Sequence, residues 1–465
     1  MKKEVFIKLE FALSMILLVS MVSACVPGST TTTEAVGTES LTTETPETNA
    51  PTTEEQTAEE STAEPEKVIY KVDEGSPLEN LPYYDYDAYK DYWDMEKGAE
   101  MLLFTAESSD GYTRYLTDLT AAGFSLYAEN EIVGNLYSTW TKDELIVTMM
   151  HMPNLNSTRI VVEPLSNGLA SRESENTYTD AGYENLILQI GTRSTIEKNY
   201  GMCYAYRLCD GSFIVADMGY SDQVMADRIY ETLAKYAPDP NNIVIAAFFV
   251  SHAHIDHYGG FENFSETYTD KVTIEKIIYN YHNEKSMALA GVSTGALYAL
   301  EDHAAKWDGV ELIEAHPGQE FFIRDAYIEM LYTWEMFETD EIPYLNNSGI
   351  IFSVTLENTK IMQLGDCGPL VSPILLTAYG DYLDSDIIQV AHHGLIGATA
   401  ELNAEINAEV ILYPSSDFNF RRCQRDPRNE IFRDAEFIYP ADKYVYMIPL
   451  PFDAERIERW EIFEY

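Results

Sequence analysis

The sequence predicts a layered α/β body preceded by a smaller α+β unit, and three observations carry that prediction. After Asn185, apolar strand-like runs alternate with amphipathic helical ones. The polar residues of this half fall at the C-terminal ends of the apolar runs, where layered α/β architectures build their sites. Finally, the six residues His252-Ala-His-Ile-Asp-His257 hold three of the chain's nine histidines, directly after one such run and one residue before Gly259-Gly260.

The chain opens with Lys2, Lys3 and Lys8 ahead of an apolar run from Phe11 to Val22, ending Val22-Ser23-Ala24-Cys25. That run is too short to span a bilayer and reads as the core of a signal peptide covering residues 1–24. Small residues before a cysteine resemble the lipobox of bacterial lipoproteins. The resemblance implies a diacylglycerol on the Cys25 thiol and an outward-facing protein held at the membrane by that lipid alone. From Val26 to Glu66 the text holds ten glutamates and no basic residue. Such a segment cannot bury enough apolar surface to offset its ordering entropy, so residues 25–66 are expected to be a disordered tether.

The net charge of −47 divides unevenly. Residues 1–25 contribute one positive charge and the tether ten negative ones, which leaves −38 for residues 67–465. So acidic a body repels nucleic acid and argues against a general DNA-binding role, while leaving room for a local basic pocket. Four cysteines remain after Cys25 (Cys203, Cys209, Cys367 and Cys423), with neither CxxC nor zinc-ribbon spacing.

Residues 67–183 are expected to form the α+β accessory unit. "MEKGAEMLLF" reads as a strand, and "DGYTRYLTDLTAAGF" as a helix with Tyr115, Leu119 and Phe124 at helical spacing. The runs "GNLYSTWTKD", "ELIVTMMHM" and "STRIVVEPL", split by turn residues, read as an antiparallel sheet. The tyrosine-rich opening "LPYYDYDAYKDYW" is expected to pack its rings on its own unit, and His151 to be structural. With no cluster of reactive side chains, this unit is expected to be dispensable for chemistry.

The second domain, residues 184–465, begins with strands in "LILQIG" and "MCYAYRLCDGSFIVADMG", the latter ending at Asp217. Ser221 is expected to cap the helix "SDQVMADRIYETLAKYA", whose Val224, Ile229, Leu233 and Tyr236 share a face. The apolar strand "NNIVIAAFFVSH" leads into the histidine motif. "NSGIIFSVTLENTKIMQLGDCG" reads as a hairpin ending at Asp366, and "SDIIQVAHHG" as a buried strand ending at His392-His393-Gly394. His303, in helical "ALEDHAAKW", and His316, just before a strand, are expected to be structural.

Imidazole nitrogen and carboxylate oxygen are the ligands that suit zinc and similar cations in hydrolytic sites. A strand breaking into a glycine-flanked loop can turn His252 and His254 toward one cation and Asp256 and His257 toward a second. Gly259-Gly260 lets the following helix start close by without side-chain collision.

HxHxDH after an apolar strand resembles the signature of the metallo-β-lactamase superfamily, which implies an αβ/βα sandwich from residue 184 to the C-terminus. "FIVADMG" looks like the family's early strand ending in aspartate (Asp217, expected behind the ligands). "IMQLGDCG" looks like the strand bearing the bridging aspartate (Asp366), and "IIQVAHHGL" the last ligand motif (His392, His393). The flavour is similar to the hydrolase-like domain of DNA-uptake competence proteins and to teichoic-acid phosphorylcholine esterases. One feature departs from the family: no histidine lies between His316 and His392, which points away from β-lactams. The His392-His393 doublet can supply the missing ligand if both rings converge.

The expected site therefore holds two divalent cations, zinc foremost. One takes His252, His254 and one member of the doublet; the other takes Asp256, His257 and the second member; Asp366 bridges. The catalytic residues are Asp256 and Asp366, acting on a hydroxide whose proton affinity the two cations lower. The expected function is a lipid-anchored, metal-dependent hydrolase of phosphodiesters or esters, with a small-molecule or cell-envelope substrate. Its rivals are a non-catalytic metal-containing binding lipoprotein and a nuclease-like role in DNA uptake. Arg421, Arg422 and Arg425, with Arg428, are conspicuous in so acidic a chain. They are either clamps for an anionic substrate at the rim of the cleft or partners of surface carboxylates such as Asp426 and Glu430.

Overall fold

Three sheets stack in the computed structural model, which describes residues 70–106, 108–191, 201–289, 295–339, 342 and 344–461. The signal peptide, Cys25 and the tether lie outside the described residues. Among those described, no helix is long and apolar enough to cross a membrane.

The first sheet is antiparallel throughout. Its strands are β1 (Tyr89–Glu96), β2 (Ala99–Phe104), β3 (Ser125–Ile132), β4 (Asn135–Lys142), β5 (Leu145–Met152) and β6 (Ser157–Pro164), in the order β1-β2-β6-β5-β4-β3. Helix α1 (Ser109–Ala121) buries Tyr112, Tyr115 and Leu119 on one face of it. The tyrosine-rich opening packs there too: Tyr84 is buried and sits edge-on to Tyr115, and Tyr70 stacks on Tyr83.

The second sheet holds β7 (Leu186–Ile190), β8 (Tyr204–Arg207), β9 (Phe213–Ala216), β10 (Ile243–Phe249), β11 (Val272–Ile274), β12 (Lys276–Tyr279) and β13 (Glu311–Glu314). The third runs β14 (Glu320–Ile323), β15 (Ala326–Tyr332), β16 (Ile351–Leu356), β17 (Thr359–Gln363), β18 (Ile387–Gln389), β19 (Val410–Tyr413) and β20 (Phe437–Pro440), each beside the next. The chain then returns to the second sheet as β21 (Tyr444–Pro449) on β7, with β22 (Glu458–Glu461) outside it.

Between the second and third sheets lies an apolar layer in which Phe249 stacks on Phe352 and packs with Ile214, Ile328 and Leu412. Helices cover both outer faces. On the second sheet lie α2 (Gln223–Tyr236) and α3 (Ile255–Thr267), whose Ile229, Leu233, Phe261 and Phe264 are fully buried. The expected αβ/βα sandwich is the observed fold. One local expectation is corrected: Asp222 caps α2 by accepting from the Val224 amide, while the Ser221 hydroxyl bonds to α3 at Glu262 and Asn263. A carboxylate one residue nearer the helix reaches the free amides better.

The outer face of the third sheet meets α6 (Ser372–Tyr379; α4 is Glu284–Leu289 and α5 Gly295–Ala304) and, beyond expectation, the first sheet. Trp93 stacks on Trp334 with ring centroids 5.6 Å apart, the Tyr137 and Tyr379 hydroxyls bond at 3.1 Å, and the Asn135 amide donates to Ala378 O. Arg159 is fully buried and donates to the carbonyls of Met336 and Phe337. The first sheet thus shares a core with the sandwich, and Pro65–Tyr465 is one compact unit. Cys203, Cys209, Cys367 and Cys423 are all buried free thiols.

Candidate metal centre

Strands from both sheets end at one place. β9 and β10 run parallel in the second sheet and β17 and β18 in the third, and each delivers its C-terminal loop to the same edge of the sandwich. The Ile350 amide donates to Ser251 O and the His392 amide to Gly365 O, tying these loops together.

Asp366 is buried at the centre, and its two oxygens face different groups. Oδ2 lies 3.8 Å from His252 Nε2 and 3.7 Å from His392 Nε2, and His252 Nε2 is 2.9 Å from His254 Nδ1. Oδ1 lies 3.3 Å from His257 Nε2 and 3.5 Å from His393 Nε2, which is 3.4 Å from Asp256 Oδ2. All seven expected ligands are thus brought together. The doublet divides between the two groups, His392 with His252 and His254, His393 with Asp256 and His257.

Local backbone makes this convergence available. His392 and His393 adopt left-handed conformations, φ 50° and 55°, so the alternation of a strand is broken and both rings turn inward. Such conformations cost non-glycine residues energy and persist where the surroundings fix them. Asp217 is likewise left-handed, at φ 57°. The two glycines of α3 prove necessary for a neighbour the sequence did not name. A Cβ on Gly260 would lie 1.9 Å from Met218 O and one on Gly259 2.6 Å from Ser221 N, so the helix rests on the loop that follows Asp217.

Hydrogen bonds behind the site decide which ring nitrogens face inward. His257 Nδ1 meets Asp217 Oδ2 at 2.7 Å, and Asp217 also accepts from the amide and hydroxyl of Ser251. His392 Nδ1 donates to Ile396 O and His393 Nδ1 to Pro414 O, each at 2.8 Å. A carbonyl can only accept, so Nδ1 carries the proton and the Nε2 lone pair points to the centre.

Burial pushes the affinities of His252 and His254 for protons down, His252 well below the usual histidine range. Burial would do the same to His257 and His393, but Asp366, with Asp217 or Asp256 beside it, outweighs burial and raises both. Burial alone would raise Asp366 and Asp256; the facing imidazoles instead hold both low. The pocket is therefore built to concentrate positive charge between carboxylates.

The donor set fits two cations. His257 Nε2 and Asp366 Oδ1 are buried with no hydrogen-bond partner among the described residues, an expensive state unless something else satisfies them. His252, His257 and Asp366 can converge on one ion, as can Asp256, His257 and His393. Sequence reasoning missed Asn346, which lies in the histidine-free stretch between His316 and His392 and whose amide donates to Asp366 Oδ2 at 3.0 Å. The text "NNSG" carried that residue, but an asparagine there has no metal-ligand pattern to betray it.

Residues 199–406 match the Metallo-beta-lactamase superfamily. That match spans a little under half of the chain. Members of this superfamily are typically metal-dependent hydrolases and hold divalent metals, often zinc or iron, in dinuclear sites. Among solved structures, the chain is similar to the metallo-beta-lactamase fold protein YhfI from Bacillus subtilis (11% identity, 55% of this chain and 98% of that one, TM-score 0.33). It is also similar to CmlA, a diiron β-hydroxylase from Streptomyces venezuelae (12% identity, 50% of this chain and 45% of that one, TM-score 0.30). A metallo-beta-lactamase superfamily protein from Thermotoga maritima is similar at 16% identity over 49% of this chain and 74% of that one, with a TM-score of 0.24. No curated protein matches the chain.

Arg421 and Arg422 ride on a helix that packs beside the candidate metal centre. Helix α8 (Asp417–Cys423; α7 is Ala400–Ile406) packs against the Ala391–Gly394 turn, with Cys423 against Gly394. Arg428 pairs with Asp426 and Arg421 reaches Asp417 at 3.7 Å, as surface pairing requires. Arg422 and Arg425 make no ion pair among the described residues.

Proposed function

We propose that this protein is a metal-dependent hydrolase that uses two divalent cations, zinc foremost, to cleave phosphodiester or ester substrates at the outer face of a membrane, to which Cys25 tethers it. The observation that carries the reading is the division of labour at Asp366, one oxygen toward His252, His254 and His392 and the other toward Asp256, His257 and His393. These seven residues would hold the cations. When bound, the cations supply Lewis-acid polarisation and lower the proton affinity of water.

The chain's own part is positioning. Asp217 and Ser251 fix the His257 ring, the carbonyls of Ile396 and Pro414 fix the doublet, and Asp256 can accept a proton from attacking water. Asn346 holds Asp366 Oδ2. The acidic body disfavours nucleic acid, and Arg422 and Arg425 offer the local counter-field that an anionic substrate needs there.

The test is metal analysis joined to a substrate panel. The purified protein is expected to hold close to two equivalents of metal and to turn over phosphodiester, phosphorylcholine or thioester probes well ahead of a β-lactam. Full metal content with no turnover on any probe would leave a metal-containing binding lipoprotein.

A further inference from the structure

Exposed apolar side chains gather around the metal centre. Among the described residues eleven large hydrophobics are exposed, and five of them sit on the loops that build the site or on the first turn of a helix beside it: Ile255 (48% exposed), Tyr344 (64%), Leu370 (47%), Ile396 (58%) and Phe418 (74%). Ile255 stands between His254 and Asp256. Tyr344 accepts, through its carbonyl, from the Asn347 amide beside Asn346, and Leu370 lies four residues past Asp366. Ile396 O is the acceptor that orients His392, and Phe418 is the second residue of the helix that follows Pro414, the acceptor for His393.

Scattered exposed hydrophobics need no explanation, but five on the segments that build one site point to a binding face. Phe418 also lines one surface depression with Asp417, Arg421, Arg422 and Arg425, so this apolar ring stands among the positive charges.

Resting on the hydrolase reading above, we propose that the substrate is a single anionic amphiphile. Its hydrocarbon arm lies along the rim formed by Ile255, Tyr344, Leu370, Ile396 and Phe418, and an anionic group meets Arg422 and Arg425. Charge complementarity selects this occupant: the arginines call for an anion, and the −38 body disfavours docking on a whole anionic bilayer.

The experiment is a chain-length series of alkyl p-nitrophenyl phosphodiesters, ethyl to decyl, each below its critical micelle concentration, with the full metal-loaded protein. In parallel, isothermal titration measures binding of ethyl, octyl and decyl phosphate, and flotation measures binding to phosphatidylglycerol vesicles. KM and Kd are expected to fall by about twofold per methylene, half the effect of full burial on a half-open rim. In the doubly substituted variant Leu370→Ser/Phe418→Ser that slope should flatten at unchanged metal content. In Arg422→Ala/Arg425→Ala, Kd for octyl phosphate should rise about tenfold while Kd for octanol stays the same. Turnover with no dependence on chain length leaves the hydrolase standing and overturns the rim. Chain-length-dependent binding without turnover keeps the rim and removes the hydrolase. Binding to vesicles with none to monomeric alkyl phosphates overturns the single-molecule occupant.

Discussion

Asp366 gives one oxygen to each group of donors, so on the reading proposed above one buried carboxylate serves both cation positions. Asp366→Asn is therefore expected to lower occupancy at both positions. His254→Ala, which removes a donor from one side alone, is expected to cost about one equivalent. Elemental analysis after dialysis separates the two, and an Asp366→Asn protein that retains two equivalents would show that the residue does not bridge. The legibility of this site in the sequence has a physical reason. Metal ligands must be of few chemical types, and here four of them share one strand-to-loop turn, so residue type and spacing expose them together. Asn346 escaped because an amide serves in any turn, and its relation to Asp366 is created only when two loops meet.

At the level of elements the clearest unread feature is a buried charged cluster joining β6 to the second and third sheets. His316 lies between Glu163 and Glu335, 2.8 Å from each, and Asn167 donates to both Glu163 and Glu314. The sequence marked His316 as structural, but its partners are 153 and 19 residues away, beyond any local pattern. By contrast, the strands of the first sheet were legible, because alternation and turn residues are local properties. Burial would lower His316, yet Glu335 and Glu163 hold it well above its usual range; burial and Glu163 push Glu314 up to about 7, with Lys97 and His316 opposing and Glu335 assisting. Both folded values exceed the unfolded ones. Stability from His316 is thus present below about pH 6.5 and lost as pH rises through its folded value. Glu314 begins to destabilise above about pH 4.5, and its penalty is complete above pH 7. Stability should fall between pH 5 and 8, and Glu314→Gln should recover roughly 1–3 kcal/mol at pH 8 and almost nothing at pH 4.5. Urea unfolding of the two proteins at both pH values measures the difference. An equal gain at both would assign the effect to packing instead.

For the molecule as a whole, the question is whether the first sheet is an attachment or part of the body. A sequence without reactive clusters between residues 67 and 183 suggested an attachment, since absence of chemistry was the only evidence to hand. The structure places Trp93, Met101, Tyr137 and Val161 of that sheet in one apolar layer with Leu331 and Met362 of the third sheet and with Trp334 and Tyr379, which lie outside its strands. Trp334 stands two residues past β15 and donates to Asn280, which in turn bonds Glu335, so the layer continues into the charged cluster. Removing residues before Asn185 would expose this layer and leave His316 with only one of its two carboxylates. Such a chain is expected to aggregate or lose cooperative unfolding rather than survive as a smaller hydrolase. A gentler probe is Trp93→Ala in the full protein, which should cost about 3–5 kcal/mol, as for other buried tryptophans. The decisive readout is the shape of the denaturation curve. If one core spans the sheets, near-ultraviolet circular dichroism and metal release should shift together in a single transition. An early transition with metal retained would mean that the first sheet unfolds by itself and that the metal-binding sandwich is stable without it.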